Sequence, residues 1–565
     1  MPPHSSPAAL DPVDVVIVGA GPTGLTLANL LGIYGVRTLL VEAGEKLIDY
    51  PRGVGMDDES LRSFQQIGLV DQVRNHTTPN QIMRFVNGKG TLLAELDPQT
   101  DEFGWPRRNA FIQPLVDAEL YKGTDRFGCV KVVLGHRMEA FTETRDGIDV
   151  DLIGPEGGPV SVSARYLVGA DGGRSITRKA LGLAFEGRTE PSSWLVVDLR
   201  NDPIGSPNAY MGCDPARPYV SIGLPHGIRR FEFMLMPGED QAFADDDVNM
   251  HAMLAQHVPD PAAADIIRRR VYTHHSRVAH SFRKGRVMVA GDAAHLMPVW
   301  QGQGFNSGIR DAVNLGWKLA CVVHEVSGER LLDSYDSERR PHAAAMVDLS
   351  DKVGKVISPT SRLLAGARDA VFRGLGAVPA AKNYVAQMKF KPMPFYESGA
   401  VVHRAKDVTG APVVGRLFIQ PRVATREQAE VLLDEVTGPW FTVIAWNNNP
   451  LALLDNEAHR TLSRLGARFI EVRPVAQLHY GTEPEGVTIV GDSTGRLKAW
   501  FDQRPESVVL VRPDRFVAGA CLAQNTSTLT RQVAESLHLI PGGHDAPRPV
   551  LPVALPADGV RASAG

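Results

Sequence analysis

Hydrophobic positions along this chain follow three rhythms in turn. The first joins short, solidly apolar runs to helices with an apolar face. Asp14–Val18 reads as a buried strand, Leu25–Ile33 as an apolar helix and Val36–Val41 as the next strand. Asp57–Gly68 and the LVDAEL segment after Pro114 have helical spacing. Ile148–Ile153 with Val160–Ala164 reads as a hairpin, and Tyr166–Ala170 as another buried strand. From about Ser192 to Arg277 the rhythm changes to short alternating strands, WLVVDL, PYVSIGL, RRFEFMLM and RVYTHHSRVA, which predicts a mainly antiparallel sheet. Arg286–Ala320 then reads as a strand (Val287–Ala290), a crowded turn and a long helix whose inner face carries Ile309, Gly316 and Leu319. Helical segments run to about Leu375, and Ala400–Val414 resembles a linker. The last rhythm predicts a compact α/β unit: strand Trp440–Trp446, helix Leu451–Leu465, strand Arg468–Val472, a further strand over Arg496–Phe501, and a hairpin of Ser507–Val511 with Phe516–Ala520.

At 565 residues the chain has room for several domains, and 43% hydrophobic with 22% charged residues is ordinary for a globular protein. A net charge of −4 gives no reason to expect a nucleic acid or an anionic membrane as partner. Val15–Val36 lacks charge over a length that mimics a membrane span, but its five glycines and one proline fit a strand, a turn and a buried helix better. The N-terminus does not resemble a signal peptide, and the four cysteines lie far apart with neither a C-x-x-C pair nor zinc spacing. The expectation is a cytoplasmic protein with reduced thiols and no metal.

Chemistry enters at three places. Gly19-Ala20-Gly21-Pro22-Thr23-Gly24 fits G-x-G-x-x-G between a strand and a helix, and the following strand ends at Glu42. This is the full dinucleotide context: Gly19 for the turn, Gly21 for close approach of a pyrophosphate, Gly24 for helix packing and Glu42 for a ribose. A second strand ends in Asp171-Gly172-Gly173-Arg174, and a third in Gly291-Asp292, so both Asp171 and Asp292 sit at carboxyl ends of predicted strands, where open α/β sheets bind ligands. Beyond Asp292 come Pro298, Gly302, Gly304, Phe305 and Asn306, a turn that exposes a helix N-terminus to an electron-rich ring edge. Arg52 can pair with a phosphate or be a solvated surface residue. Gln113 can face a polar ligand or nothing in particular. In the alternating region Arg217, Tyr219, Arg229, Arg230, Tyr272 and His274 are candidates to face a small aromatic acid, each with a structural role as the alternative. His274 and His275 should point to opposite faces.

GAGPTG with Glu42, GADGGRS at 169–175 and AGDAAH…P…GQGFN at 290–306 together resemble the single-component FAD aromatic hydroxylases, the group A flavoprotein monooxygenases. Strings outside the cofactor motifs, among them KLIDYPRGVGMDDESLRSFQ, TDEFGWPRRNAFIQP and QMKFKPMP, extend the likeness across nearly the whole chain. The resemblance implies a discontinuous Rossmann-like FAD-binding domain over 12–190 and 278–375. It implies an inserted, mainly antiparallel substrate domain over 191–277, and a thioredoxin-like C-terminal domain without C-x-x-C over 400–540. A flexible tail would follow over 541–565. By similarity Gly19, Gly21, Gly24 and Glu42 would hold the adenosine diphosphate half of FAD, Arg52 and Gln113 the pyrophosphate and ribityl region, and Asp292 the ribityl chain. Gly302–Asn306 would hold the flavin's pyrimidine edge, with Asp171 and Arg174 shaping the site. The implied reaction uses NADH rather than NADPH, and O2, to hydroxylate 3-(3-hydroxyphenyl)propionate, with 3-hydroxycinnamate as a second substrate, through a C4a-hydroperoxyflavin. Tyr272 and His274 are candidates to deprotonate the phenol, and Arg217, Tyr219 and Arg230 to bind the acid. The enzyme would act as a soluble protein, with a homodimer among the expectations. Other readings are the same chemistry on resorcinol, a chlorinated phenol or a polyketide, a simple NAD-dependent dehydrogenase, and a non-catalytic flavin-binding regulator.

Overall fold

A computed structural model describes residues 8–50, 52–403 and 412–549. The middle of the predicted linker (404–411) and the tail from 550 onward lie outside the described residues. No helix among the described residues is long and apolar enough to cross a membrane.

The first sheet explains why three distant motifs meet. Its pivot is one long strand, Pro159–Gly169. The sequence divides this segment into a hairpin arm and a separate strand; in the structure they are continuous. The first half pairs antiparallel with Ile148–Ile153. The second half is flanked by Val13–Val18 and Val287–Val289, both parallel to it. Gly169 is opposite Val18 on one side and Val289 on the other, so the three strands end level. Ala170 N then donates to Val18 O at 2.8 Å and Ala290 N to Gly169 O at 2.9 Å. The Gly19, Asp171 and Asp292 turns therefore leave the sheet side by side, at the carboxyl edge where α/β sheets bind ligands. The helices after the first and third strands, Pro22–Ile33 and Gln303–Val323, cross closely, with Gly316 against Leu30.

The second sheet runs in the order His295–Leu296, Asp265–Ala279, Phe185–Arg200, Ile228–Met234, Tyr219–Leu224, Ala209–Cys213, Met83–Asn87, Leu92–Leu96. It is mainly antiparallel, as the alternation predicts. Two of its strands, however, come from 83–96, well upstream of the alternating region. One face carries Val196, Val220, Ile222, Ala209, Met211 and Met83 toward the first sheet's carboxyl edge.

The third sheet has five strands in the order Val487–Asp492, Arg468–Pro474, Thr442–Trp446, Val508–Val511, Val517–Cys521, three parallel and the last two antiparallel. Arg496–Asp502 is a helix, which corrects the expected strand. Leu497 and Phe501, four apart, are its buried positions while Ala499 between them is exposed, a pattern of a helix face and not of a strand face. Buried ions clamp this unit to the rest. Glu338 accepts from both arms of Arg512 at 2.8 Å and from Lys318 at 2.7 Å, and Arg62 grips Asp434 at 2.7 and 2.8 Å.

Candidate active site

A cavity of about 1190 Å³ opens along the carboxyl edge of the first sheet and continues under the second. Its two ends differ in chemistry.

One end is built from the glycine turns. Gly19 has φ +108°, and a Cβ there would sit 2.4 Å from Ala170 O; a Cβ on Gly24 would sit 2.0 Å from Gly19 O. Gly19 is therefore a packing position against the neighbouring Ala170–Asp171 turn and Gly24 one between helix and strand end, and neither lines the cavity. Gly21 does: a Cβ there would meet nothing within 4 Å. It caps the N-terminus of Pro22–Ile33, where free N–H groups and the positive helix end favour an anion. Glu42 faces this turn from the next strand, accepting from Ala20 N and Gly44 N, both at 2.8 Å.

Arg52, Gln113, Asp171, Arg174 and Asp292 also line this end. Arg52 pairs with Asp292 at 2.9 Å, both partly exposed. Gln113 Oε1 accepts from Gly53 N at 2.7 Å and its amide donates to Asp117. Burial raises the Asp117 carboxyl to about 7, against a smaller opposing pull from the Gln113 hydrogen bond. Asp171 Oδ2 accepts from Thr177 N and Oγ1 at 3.0 Å, while its Oδ1 is enclosed with no partner among the described residues. A clear lane over Gly21, an exchangeable ion pair and an unsatisfied carboxylate oxygen along one groove fit a bound dinucleotide.

The middle of the wall is the Pro298–Asn306 turn. Gly302 adopts φ +62°, which lets the chain reverse against Gly55 into the Gln303–Val323 helix. Asn306 fixes the reversal, donating to Gly302 O at 2.7 Å and Gly55 O at 3.1 Å while accepting from Asp57 N and Ser60 Oγ. Gly302, Gly304, Phe305 and Asn306 line the cavity; Pro298 caps the short Val299–Gln301 turn and does not. Beneath lies a charge cluster. Asp57, Asp58 and Glu59 form an acidic triplet that Arg310, Arg107 and Lys391 neutralise.

The other end is aromatic and apolar. Trp300 stands edge-on to Trp194 and His274, each at 4.8 Å between ring centres. Tyr272 and His274 share a strand face, as positions two apart must, and Tyr272 Oη lies 3.1 Å from His274 Nε2. His275 bonds Thr189 instead. Tyr272 Oη donates to Glu232 Oε2 at 2.7 Å. Burial drives His274 down to about 3, so the imidazole is neutral; it also raises Glu232 above the usual carboxylate range and Tyr272 well above an ordinary phenol.

Three expected acid-binding residues are corrected. Arg217 is spent on Glu239, at 2.6 and 2.7 Å, away from the cavity. Tyr219 faces His257 on the opposite side of the sheet, because Val220 takes the cavity face and side chains alternate. Arg230 reaches the cavity, but Asp198 holds it bidentately at 2.7 and 2.9 Å. Arg229 likewise binds Asp202. Sequence reasoning missed Glu232, Trp300 and Arg108. An acid inside the apolar alternation of RRFEFMLM was the available signal for Glu232; the other two gave none.

Comparison with known proteins agrees with this geometry. The FAD binding domain family matches residues 12–350 and the HcaD C-terminal domain matches 415–536. A 3-(3-hydroxy-phenyl)propionate/3-hydroxycinnamic acid hydroxylase of Mycolicibacterium gilvum (strain PYR-GCK) is 57% identical over 556 residues, covering 96% of this chain and 97% of its own. One of the same name from Mycolicibacterium smegmatis (strain ATCC 700084 / mc(2)155) is 58% identical, covering 98% of each. Among solved structures, the flavin-dependent monooxygenase PieE, in complex with FAD and substrate, superposes with a TM-score of 0.79 at 23% identity, over 94% of this chain and 100% of that one. Aklavinone-11 hydroxylase with FAD and aklavinone gives 0.73 at 22%, over 93% and 99%. At these identities the structural likeness is one of fold. With the family domain spanning most of its first 350 residues and relatives matching almost end to end, the chain belongs to the FAD-dependent aromatic hydroxylases, a family of flavoprotein monooxygenases.

Proposed function

We propose that this hydroxylase acts on 3-(3-hydroxyphenyl)propionate and 3-hydroxycinnamate, adding one hydroxyl at the ring carbon beside the phenol, with NADH and O2 as co-substrates in the cytoplasm. The relatives' names support the substrate class. The observation that carries the reading is the single cavity joining the Gly21 lane to the Tyr272–His274–Glu232 chain.

FAD bound along the glycine end supplies reduction by NADH, activation of O2 at its C4a carbon and delivery of one oxygen atom. The protein's own contribution is placement and proton handling. Gly21 and the Pro22–Ile33 N-terminus take the pyrophosphate; Glu42 takes the ribose; Arg52, Gln113 and Asp292 flank the chain between them. The first N–H groups of Gln303–Val323 present positive potential to an electron-rich ring edge. Trp194 and Trp300 close the aromatic end against water.

A ring carbon attacks the oxygen more readily when the neighbouring phenol has lost its proton, and a free phenol has a pKa of about 10. The phenolic proton passes to His274 Nδ1, the Nε2 proton to Tyr272 Oη, and the tyrosyl proton to Glu232. That sequence uses the tautomer with hydrogen on Nε2. Neutral His274 is the right acceptor at the front, and Glu232, with its raised affinity for a proton, is the right terminus.

The test is NADH oxidation by the FAD-loaded protein with product identification. The reading expects oxidation stimulated by 3-(3-hydroxyphenyl)propionate and a 2,3-dihydroxyphenyl product. Unstimulated oxidation, or stimulation that yields only hydrogen peroxide, defeats it.

A further inference from the structure

A phenolic acid brings a carboxylate into the cavity, and of the residues expected to meet it Arg217 and Arg230 are spent on carboxylates while Tyr219 faces the other side of the sheet. Most other cations there are matched too. Arg107 pairs with Asp58, Arg268 lies 3.6 Å from Asp198, and Lys391 is shared between Asp57 and Glu59. Arg277 donates to Phe185 O and Thr189. Arg174 and Arg270 line the cavity but are exposed, the latter against Tyr50.

Arg108 differs. It lines the cavity half-buried; like Arg277 it has no carboxylate partner among the described residues, but unlike Arg277 it keeps both terminal nitrogens uncommitted. Its Nε donates to Gln81 O at 3.2 Å, and Gln81 N returns a bond to Arg108 O at 3.1 Å. Gln81 is itself fixed, its amide donating to Pro207 O and Gly223 O, both at 2.8 Å. The guanidinium is thus braced at one edge. Its two terminal nitrogens make no hydrogen bond to a described residue and are not sealed off by protein. Burial lowers the group to about 10, still charged at neutral pH. A half-buried cation left unmatched while its sequence neighbour is paired is costly unless something else completes it.

We propose that Arg108 is the carboxylate-binding group of the substrate pocket, gripping an acid side chain through its two terminal guanidinium nitrogens. The proposal rests on the phenolic-acid reading above and gives its acid end a residue. Two parallel N–H donors match the two oxygens of a carboxylate. The surroundings suit a monoanion on an apolar body: Met83, two residues from the Gln81 that braces Arg108, lines the same cavity with Ala209 and Ile222 on the next two strands. Met83 and Glu232 lie on strands three spacings apart, about 14 Å at ordinary sheet geometry. The apolar positions between them leave room for one ring and a short side chain, with the phenol at the Tyr272–His274–Glu232 end and the acid at Arg108.

The experiment compares 3-(3-hydroxyphenyl)propionate with its uncharged amide, 3-(3-hydroxyphenyl)propanamide, on FAD-loaded wild type, Arg108→Gln and Arg108→Lys. Binding is read from the ligand-induced change in the flavin's visible spectrum, and turnover from product formation. In Arg108→Gln the acid-over-amide preference falls about 10- to 100-fold in dissociation constant and KM, the scale of a lost charge-assisted hydrogen-bonded contact, while kcat changes less. Arg108→Lys retains part of the preference. Equal losses for acid and amide, or an acid preference untouched by either variant, overturn the proposal, as does a wild type that binds both alike. If Arg108→Gln fails to retain FAD, the same ratio in Arg108→Lys decides. Acid binding that depends on Arg108 without any hydroxylated product sinks the catalytic reading and leaves the subsite standing.

Discussion

Gly21 and Gly24 are three residues apart in one motif, and the structure gives them opposite jobs. At Gly21 the backbone is extended, with φ −79° and ψ 177°, and the place of a Cβ is empty to 4 Å. Gly21→Ala should cost the cofactor-free fold no more than a weak N-cap change, about 1 kcal/mol or less. The methyl would, however, stand in the lane along which a pyrophosphate reaches the helix N-terminus. Losing one or two charge-assisted hydrogen bonds at about 1.5–3 kcal/mol each weakens FAD by roughly 100-fold or more. At Gly24 a Cβ would lie 2.0 Å from Gly19 O, backbone against backbone, so the helix must lift from the sheet. Overpacking of about 1–3 kcal/mol exceeds the roughly 1 kcal/mol that alanine gains in a helix. The assay is thermal unfolding of deflavinated protein beside FAD titration. Gly21→Ala should melt within about 2 °C of the parent yet bind FAD poorly, and Gly24→Ala should melt early even without FAD. A Gly21→Ala protein with parental FAD affinity would refute the assignment of that lane.

Glu232→Gln removes the relay's final acceptor, and kcat should fall roughly 100-fold or more. Because burial raises Glu232, the wild-type relay fills with a proton as pH falls, and the acid limb of the kcat–pH profile should lie above an ordinary glutamate's range; a limb unchanged in Glu232→Gln contradicts the relay. Arg217→Ala should leave kcat/KM for the phenolic acid unchanged, since Arg217 is held by Glu239 off the cavity; a selective loss for the acid would restore it as a ligand. Glu338 carries the clamp on the C-terminal unit, and Arg512 and Lys318 hold its carboxyl down to about 2 against burial. Its folded-state value lies below the unfolded one of about 4.5, so it contributes about 3 kcal/mol above that pH, lost as pH falls toward 2. Urea unfolding at neutral and acid pH should show that loss in the parent. Glu338→Gln, which strands two buried cations, should be weaker at neutral pH by about 3–5 kcal/mol, with a smaller acid effect.

The glycine turns were legible because their chemistry is local: strand, turn, helix and acid stand within thirty residues. Their convergence was legible too, since level parallel strands bring carboxyl-end turns together. The acid-binding residues were not. Whether Arg230 is free depends on Asp198 across the sheet, and whether Arg217 is free depends on Glu239. Tyr219 failed by one position, which in a strand reverses the face. Arg108 precedes the short Asn109–Phe111 strand, and its place in the cavity is set by Gln81 from another part of the chain. The strands Met83–Asn87 and Leu92–Leu96 join the second sheet through a parallel pairing with Ala209–Cys213, a contact that no local pattern announces.

The most direct measurement is a crystal structure of the FAD-loaded protein with 3-(3-hydroxyphenyl)propionate. The account predicts the pyrophosphate over Gly21, the flavin edge against Gly302–Asn306, and the phenol oxygen in hydrogen-bond reach of His274. A ring bound with its phenol away from the Tyr272–His274–Glu232 chain, or an FAD that bypasses Gly21, would contradict it.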